Sequence, residues 1–299
     1  MHSLAAVRVV GYSAVLIGAS AFVTASAVAQ DSEHDWQKIY QVSAHPSLAL
    51  ETGDLAVEVL PCGNCTTVHV SVHTERKLSE FEIDEHQEGN RVTFRIKERP
   101  SIGFHVNWHG SGRNFSRVTV ETPANLSLEA RVADGSITAH GLTGEFQLHS
   151  SDGSVTLDDV HGTINARTAD GSVHVHHSSG ELEARSSDGS VDAEGKFSKV
   201  ALHTSDGSVR FSLAEGSQLT SASTIESSDG GVSIRLPQTL AADLDVQARD
   251  GSIKCSLPLK MDGYNSKGSS DHHIAGHLNA GGTPLAVRTS DGCVTIAAL

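Results

Sequence analysis

Asp152-Gly153-Ser154-Val155-Thr156-Leu157-Asp158 returns as Asp170-Gly171-Ser172-Val173-His174-Val175-His176 and again as Asp188-Gly189-Ser190-Val191-Asp192-Ala193-Glu194, each copy 18 residues after the last. Outward from this core, Asp134-Gly135 and Asp206-Gly207 keep the spacing. Asp229-Gly230, Asp250-Gly251 and Asp291-Gly292 continue it at intervals of 23, 21 and 41 residues. A constant period of this length marks stacked supersecondary units. The third residue after each Asp is apolar: Ile137, Val155, Val173, Val191, Val209, Val232, Ile253, Val294. In the regular units so are the twelfth and fourteenth: Phe146 and Leu148, Ile164 and Ala166, Leu182 and Ala184, Val200 and Leu202. Alternation of period two on either side of a turn reads as two short strands per unit. Asp-Gly makes one turn, with Gly at positive φ and Asp capping through backbone amides, and a second Gly (Gly144, Gly162, Gly180) makes the other.

Two all-β architectures fit. Asp-Gly is a strong hairpin signal, so the units could be stacked antiparallel hairpins. An open meander would leave one continuous apolar face uncovered. Coiling the chain stacks equivalent residues and buries the inner faces of both strands, so an elongated β-solenoid of parallel β-helix type, with rungs of about 18 residues, is expected. Three sections follow: a leader at 1–29, a degenerate N-terminal β region at 30–122, and the Asp-Gly-Ser repeat domain at 123–299. In the second section Leu48–Val57 reads as a degenerate rung, Thr66–His73 and Arg91–Ile96 as strands, and the acidic Ser79–Glu88 as a solvated connection. This section is expected to cap the solenoid's first edge.

Arg8, the apolar run from Val9 to Val23 and the small residues Ala25-Ser26-Ala27-Val28-Ala29 form a basic, apolar and cleavable sequence of signal-peptide type. The chain is therefore expected to be exported, to the periplasm, the cell surface or the medium, with no transmembrane segment after cleavage. A net charge of −14 disfavours nucleic acid and anionic lipid, and 4% aromatic content leaves few stacking platforms. In an oxidising compartment Cys62-Gly63-Asn64-Cys65 reads as a local disulfide. Redox chemistry would need a βαβ setting that the sequence lacks, and His69 and His73 nearby leave a metal reading open. Cys255 falls at an inward position.

The stacked aspartates invite Ca²⁺. One carboxylate per turn, however, falls short of the six to eight oxygens calcium takes, so no metal and no cofactor is expected. Two outward columns carry the other candidate residues. One, six positions after each Asp, reads His140, Asp158, His176, Glu194, with His174 and Asp192 in the neighbouring column. The second, three positions before, reads Arg131, His149, Arg167, Arg185, His203. His140, Asp158, His176, Glu194, Arg167 and Arg185 are the candidate binding face, whose protonation near pH 6 would alter a partner contact. The competing reading is solvated side chains arranged to avoid like-charge neighbours. No nucleophile elbow, zinc-protease helix or phosphate loop occurs, so no enzyme is expected.

Val118-Thr119-Val120-Glu121-Thr122-Pro123, the units such as Leu182-Glu183-Ala184-Arg185-Ser186-Ser187-Asp188-Gly189-Ser190-Val191, and the closing Leu285-Ala286-Val287-Arg288-Thr289-Ser290-Asp291-Gly292-Cys293-Val294-Thr295-Ile296 carry a resemblance. Over about residues 40–299 the chain resembles the bacterial putative-adhesin family of β-strand repeat proteins of unknown function, likened to a toast rack. The resemblance implies the repeat fold and brings no catalytic residues. The resulting expectation is a non-catalytic binding or structural module of the cell envelope, meeting a protein or glycan. The alternative is a periplasmic envelope-stress or regulatory accessory that binds a membrane partner, and the third reading is a glycan-active enzyme on a β-helix. Edge-to-edge homo-oligomers would form through the last strand, Val294–Ala298.

Overall fold

The computed structural model describes residues 32–100, 116–260 and 272–299; the leader read at 1–29 lies outside the described residues. Apart from one 3-10 turn at Leu78–Glu80, the regular elements described are strands. The repeats at Asp134 and Asp152 each give a short strand and a long one, and those at Asp170 and Asp188 run the two together as Val173–Ser186 and Val191–Thr204. The short strands Ile137–His140 and Val155–Asp158 pair in parallel, and Val155–Asp158 pairs on with the start of Val173–Ser186. The long strands Asn125–Val132, Thr143–Ser150 and His161–Thr168 do the same, with Thr143 opposite His161 and Phe146 opposite Ile164. Each residue thus sits beside its counterpart one period away, as a solenoid requires and stacked hairpins would not allow. The inward residues of the short-strand and long-strand sheets form one continuous core, from Leu48 and Val57 to Val294 and Ile296.

The Asp-Gly corner works differently from a hairpin turn. None of its glycines adopts positive φ. They are needed because the rungs touch: a Cβ on Gly153 would lie 2.1 Å from the Gly135 carbonyl oxygen, and one on Gly189 2.0 Å from that of Gly171. The left-handed residues stand at the other corner, at Gly141 (φ 65°), Asp159 (φ 57°) and His177 (φ 51°). The repeat aspartates do not cap the turn either; their side chains are exposed. A buried hydroxyl two positions earlier does so. Ser150 Oγ accepts from the Gly153 N–H at 3.0 Å and donates to the Gly135 carbonyl of the rung below at 2.9 Å. Thr168, Ser186, Thr204, Ser227 and Thr289 repeat the arrangement up the stack.

At both ends the order of stacking departs from the order of sequence. The rung Ser47–Thr52 and Ala56–Pro61 lies inside the stack. Ser47–Thr52 pairs with Asn125–Val132 on one side and Arg91–Glu98 on the other, and Ala56–Pro61 pairs with Ile137–His140 and Arg117–Thr122. The last rung, Thr283–Thr289 and Val294–Ala298, is likewise inserted. Thr283–Thr289 sits between Ser223–Ser227 and Ala242–Ala248, and Val294–Ala298 between Val232–Leu236 and Ile253–Cys255. Val294–Ala298 is therefore no open edge, which removes it as the seam for edge-to-edge association. The end on that sheet is the three-residue strand Ile253–Cys255, with Cys255 packed half-buried against the core.

Antiparallel strands close the remaining ends. His273–Leu278 covers Ala242–Ala248, and Leu259–Lys260 pairs beyond it. At the first end Thr67–His73 covers Arg117–Thr122, and Asp35–Gln41 covers Thr67–His73. The acidic segment is a strand rather than a solvated connection: Phe81–Glu88 runs antiparallel to Arg91–Glu98. Phe81 is buried and Ile83 half-buried against the core, while Glu82, Asp84 and Glu88 stand on the outside. Charges on an outermost strand oppose its pairing with another chain. The two capping edges meet at Glu85, which takes Lys38 as an ion pair and the Tyr40 hydroxyl at 3.1 Å; burial and Glu85 together push the Tyr40 hydroxyl pKa far up.

Candidate functional site on the short-strand sheet

The outward positions of a parallel stack form ladders with a step of about 4.8 Å. On the short-strand sheet the residues around 140, 158, 176 and 194 make such ladders, and their contents are acid and imidazole. Asp158 is held between two rungs' histidines, with His177 Nδ1 at 2.7 Å from Oδ1 and His140 Nδ1 at 3.1 Å from Oδ2. His177, chiefly through its hydrogen bond, holds the Asp158 carboxyl below its ordinary range. The same bond raises His177 above the usual imidazole value. His161 bridges Asp159, at 3.1 Å, and the Ser179 hydroxyl, at 2.8 Å. His177 occupies the left-handed corner position, which a period-two reading passes over.

Beside this cluster lie His174 and His176, alternate residues of one strand that project outward together. Their rings stack at 6.4 Å with 15° between planes. Asp192 is the register partner of His174 on the next rung, and Thr156 and Asp158 are the partners of His174 and His176 on the rung before. Among the described residues His174, His176 and Asp192 are the one set of three donor side chains whose ligating atoms lie within 4.8 Å of one another, each half-buried. Asp192 also has Arg210 at 3.9 Å.

The six candidate face residues do not share a face. His140, Asp158, His176 and Glu194 belong to the short-strand sheet. Arg167 and Arg185 belong to the long-strand sheet, where both reach Glu183, at 2.7 and 2.9 Å, and draw its pKa down against the opposing effect of burial. Cross-strand neutralisation accounts for these two arginines without a ligand. Cys62 and Cys65 are joined as a disulfide, with Cα atoms 5.8 Å apart. His69 and His73 are turned to Glu121 and Asp35 instead.

Residues 47–297 match the sequence profile of Toastrack DUF4097. The chain belongs to the Toastrack family. That match spans part of the N-terminal region as well as the repeats. Comparison with curated proteins returns no match. Solved structures similar to this chain include a putative cell adhesion protein from Clostridium sporogenes, 9% identical, covering 88% of this chain and 99% of its own, at a TM-score of 0.26. A putative adhesin from Bacteroides fragilis is 11% identical, covering 90% and 98%, at 0.37. A putative lipid binding protein from Parabacteroides distasonis is 13% identical, covering 88% and 96%, at 0.42. Overlaps this weak carry no inference about what this Toastrack chain binds. No helix among its described residues is long and apolar enough to cross a membrane.

Proposed function

We propose that this Toastrack chain is an exported, non-catalytic binding module of the bacterial cell envelope, a rigid solenoid that presents flat outer faces to an envelope protein or glycan. The observation that carries the reading is the ladder on the short-strand sheet. His140, Asp158 and His177 are paired acid against imidazole across successive rungs, on a surface whose step is fixed by the backbone. A flat ladder of this kind fits an extended partner edge better than a small substrate, which needs a concave site. The carboxylate at its centre, Asp158, is pulled down by His177, whereas a general acid needs a raised pKa. The histidines give the contact a response to mild acidity.

The test is a tagged chain in intact bacteria, fractionated into cytoplasm, periplasm, surface and medium, with a photocrosslinker at Thr138 on the same outer face. Export together with a discrete envelope adduct is the expected result. Retention in the cytoplasm, or processing of a defined glycan by the purified chain, would overturn the reading. Capture of a single membrane protein in the periplasm would favour the regulatory accessory. If His140→Gln with His176→Gln leaves the pH dependence of the adduct unchanged, the titrating role of the face falls.

A further inference from the structure

We propose that His174, His176 and Asp192 form a binding site for a divalent transition-metal ion of the zinc type. The two histidines are alternate residues on one strand, so both imidazoles leave the same face about 6.6 Å apart along the backbone. Asp192 stands opposite His174 on the neighbouring rung, completing a triangle across two rungs of a rigid sheet. The donor atoms lie within 4.8 Å of one another. A tetrahedral ion with bonds of about 2.1 Å needs donors roughly 3.4 Å apart. That contraction is within reach of side-chain rotation at half-exposed positions and requires no backbone movement.

The chemistry of the donors sets the class of ion. Two neutral imidazoles and one carboxylate suit Zn²⁺, Cu²⁺ or Ni²⁺, whereas Ca²⁺ and Mg²⁺ require oxygen. Among the described residues no other hydrogen bond or ion pair holds the imidazoles of His174 and His176, unlike those of His140, His161 and His177, which are tied to Asp158, Asp159 and Ser179. Asp192 must give up its 3.9 Å contact with Arg210. Glu194, two residues after Asp192 on the same strand, and Asp158, opposite His176 on the rung before, are acidic neighbours that favour a cation there. Three protein donors leave a fourth position for water or for a side chain of a partner. The site stands whether or not the envelope-binding reading holds.

The measurement is calorimetric titration of the untagged mature chain with Zn²⁺, repeated with Co²⁺ and followed by visible absorption. One ion per chain is expected, with the intense d–d bands of a tetrahedral Co²⁺ centre. His174→Ala, His176→Ala and Asp192→Asn are each expected to weaken binding by at least about tenfold, the lower bound for losing even a supporting group. His149→Ala, an exposed histidine on the other sheet, should leave it unchanged. Circular dichroism verifies that each variant keeps its strands. Absence of stoichiometric zinc binding, or binding that survives the His174→Ala, His176→Ala double variant, would overturn the site. Equal loss in His149→Ala would assign the binding to scattered surface histidines and overturn it too. The visible bands of the unmutated chain report on the site without recourse to any variant: their absence at saturating Co²⁺ would contradict a tetrahedral centre.

Discussion

The central rungs, from Asn125–Val132 to Val209–Leu213, and the two ends of the molecule are built by different rules. In the centre each rung stacks on the one that precedes it in sequence, and glycine and hydroxyl columns run unbroken from rung to rung. At the ends a rung is set back into the stack: Ser47–Pro61 near the first end and Thr283–Ala298 near the last, each hydrogen-bonded on both sides. A purely sequential solenoid would end on a repeat rung with its strands open. Here antiparallel strands cover the outer rungs except where the short parallel strand Ile253–Cys255 ends its sheet, and the charges on Phe81–Glu88 blunt edge pairing at the first end. The period therefore governs only local geometry. Which rung lies outermost is decided by how the chain closes.

The largest effect should come from the interposed last rung. Removing 283–299 takes away the buried side chains Leu285, Val287, Val294 and Ile296, worth roughly 6–12 kcal/mol together, and separates the rungs on either side. Loss of the cooperative transition, or a melting point lower by tens of degrees, is expected by calorimetry. Removing 32–41, which holds one fully buried apolar residue, Tyr40, should cost much less. Equal costs would erase the difference between an inserted rung and a cap.

The neighbouring glycines Gly230 and Gly231 sharpen the same point at one corner. A Cβ at Gly230 would lie 1.8 Å from the Gly207 carbonyl oxygen, whereas at Gly231 its nearest neighbour is 3.5 Å away. Gly230→Ala is expected to cost about 3 kcal/mol or more, and Gly231→Ala under about 1 kcal/mol, by urea unfolding. Next in size is the hydroxyl column: Ser150→Ala strands the Gly153 N–H and the Gly135 carbonyl, at about 1–3 kcal/mol. Ser150→Thr, the residue that the column already uses at Thr168 and Thr204, should recover most of it.

The smallest effect is electrostatic. Pairing lowers Asp158 and raises His177 above its ordinary 6.5. Its contribution is therefore full only while the carboxyl is ionised and the imidazole charged. It fades as pH falls through the lowered Asp158 value and as pH rises through the raised His177 value. Both groups are exposed, so no change in melting temperature is expected from Asp158→Asn. The His177 imidazole, followed by NMR titration, should fall back toward its ordinary value. An unchanged His177 titration would show that the pair is not formed in solution.

The repeat fold is legible in the sequence because burial imposes period two and stacking imposes a fixed interval, and Ile137, Val155 and Val173 record both. The corner chemistry misleads for a physical reason. Asp-Gly carries a strong local hairpin preference, but the constraint here is the carbonyl of the rung below, a contact 18 residues away in sequence. Phe81–Glu88 is hidden by its charges, since an outermost strand shows little of the apolar alternation that marks an inner one. The interleaving of the ends has no local signal. Of the candidate face, columns can be read from the period, but not which sheet each column occupies. Sequence alone thus joins Arg167 and Arg185 to His140 and His176, and it misses His177, whose exposure comes from a left-handed corner.

Short-reach thiol crosslinking tests the interleaved stack most directly, in a background with Cys255 and Cys293 replaced by serine. Thr224 and Asp245 each face Ala286 across one hydrogen-bonded step and are two steps from each other. Cysteine pairs at 224 and 286, and at 245 and 286, should couple readily with a reagent spanning about one strand spacing of 4.8 Å, and the 224–245 pair should not. Efficient coupling of 224 to 245, with none to 286, would mean that the chain stacks in sequence order and that the last rung lies outside.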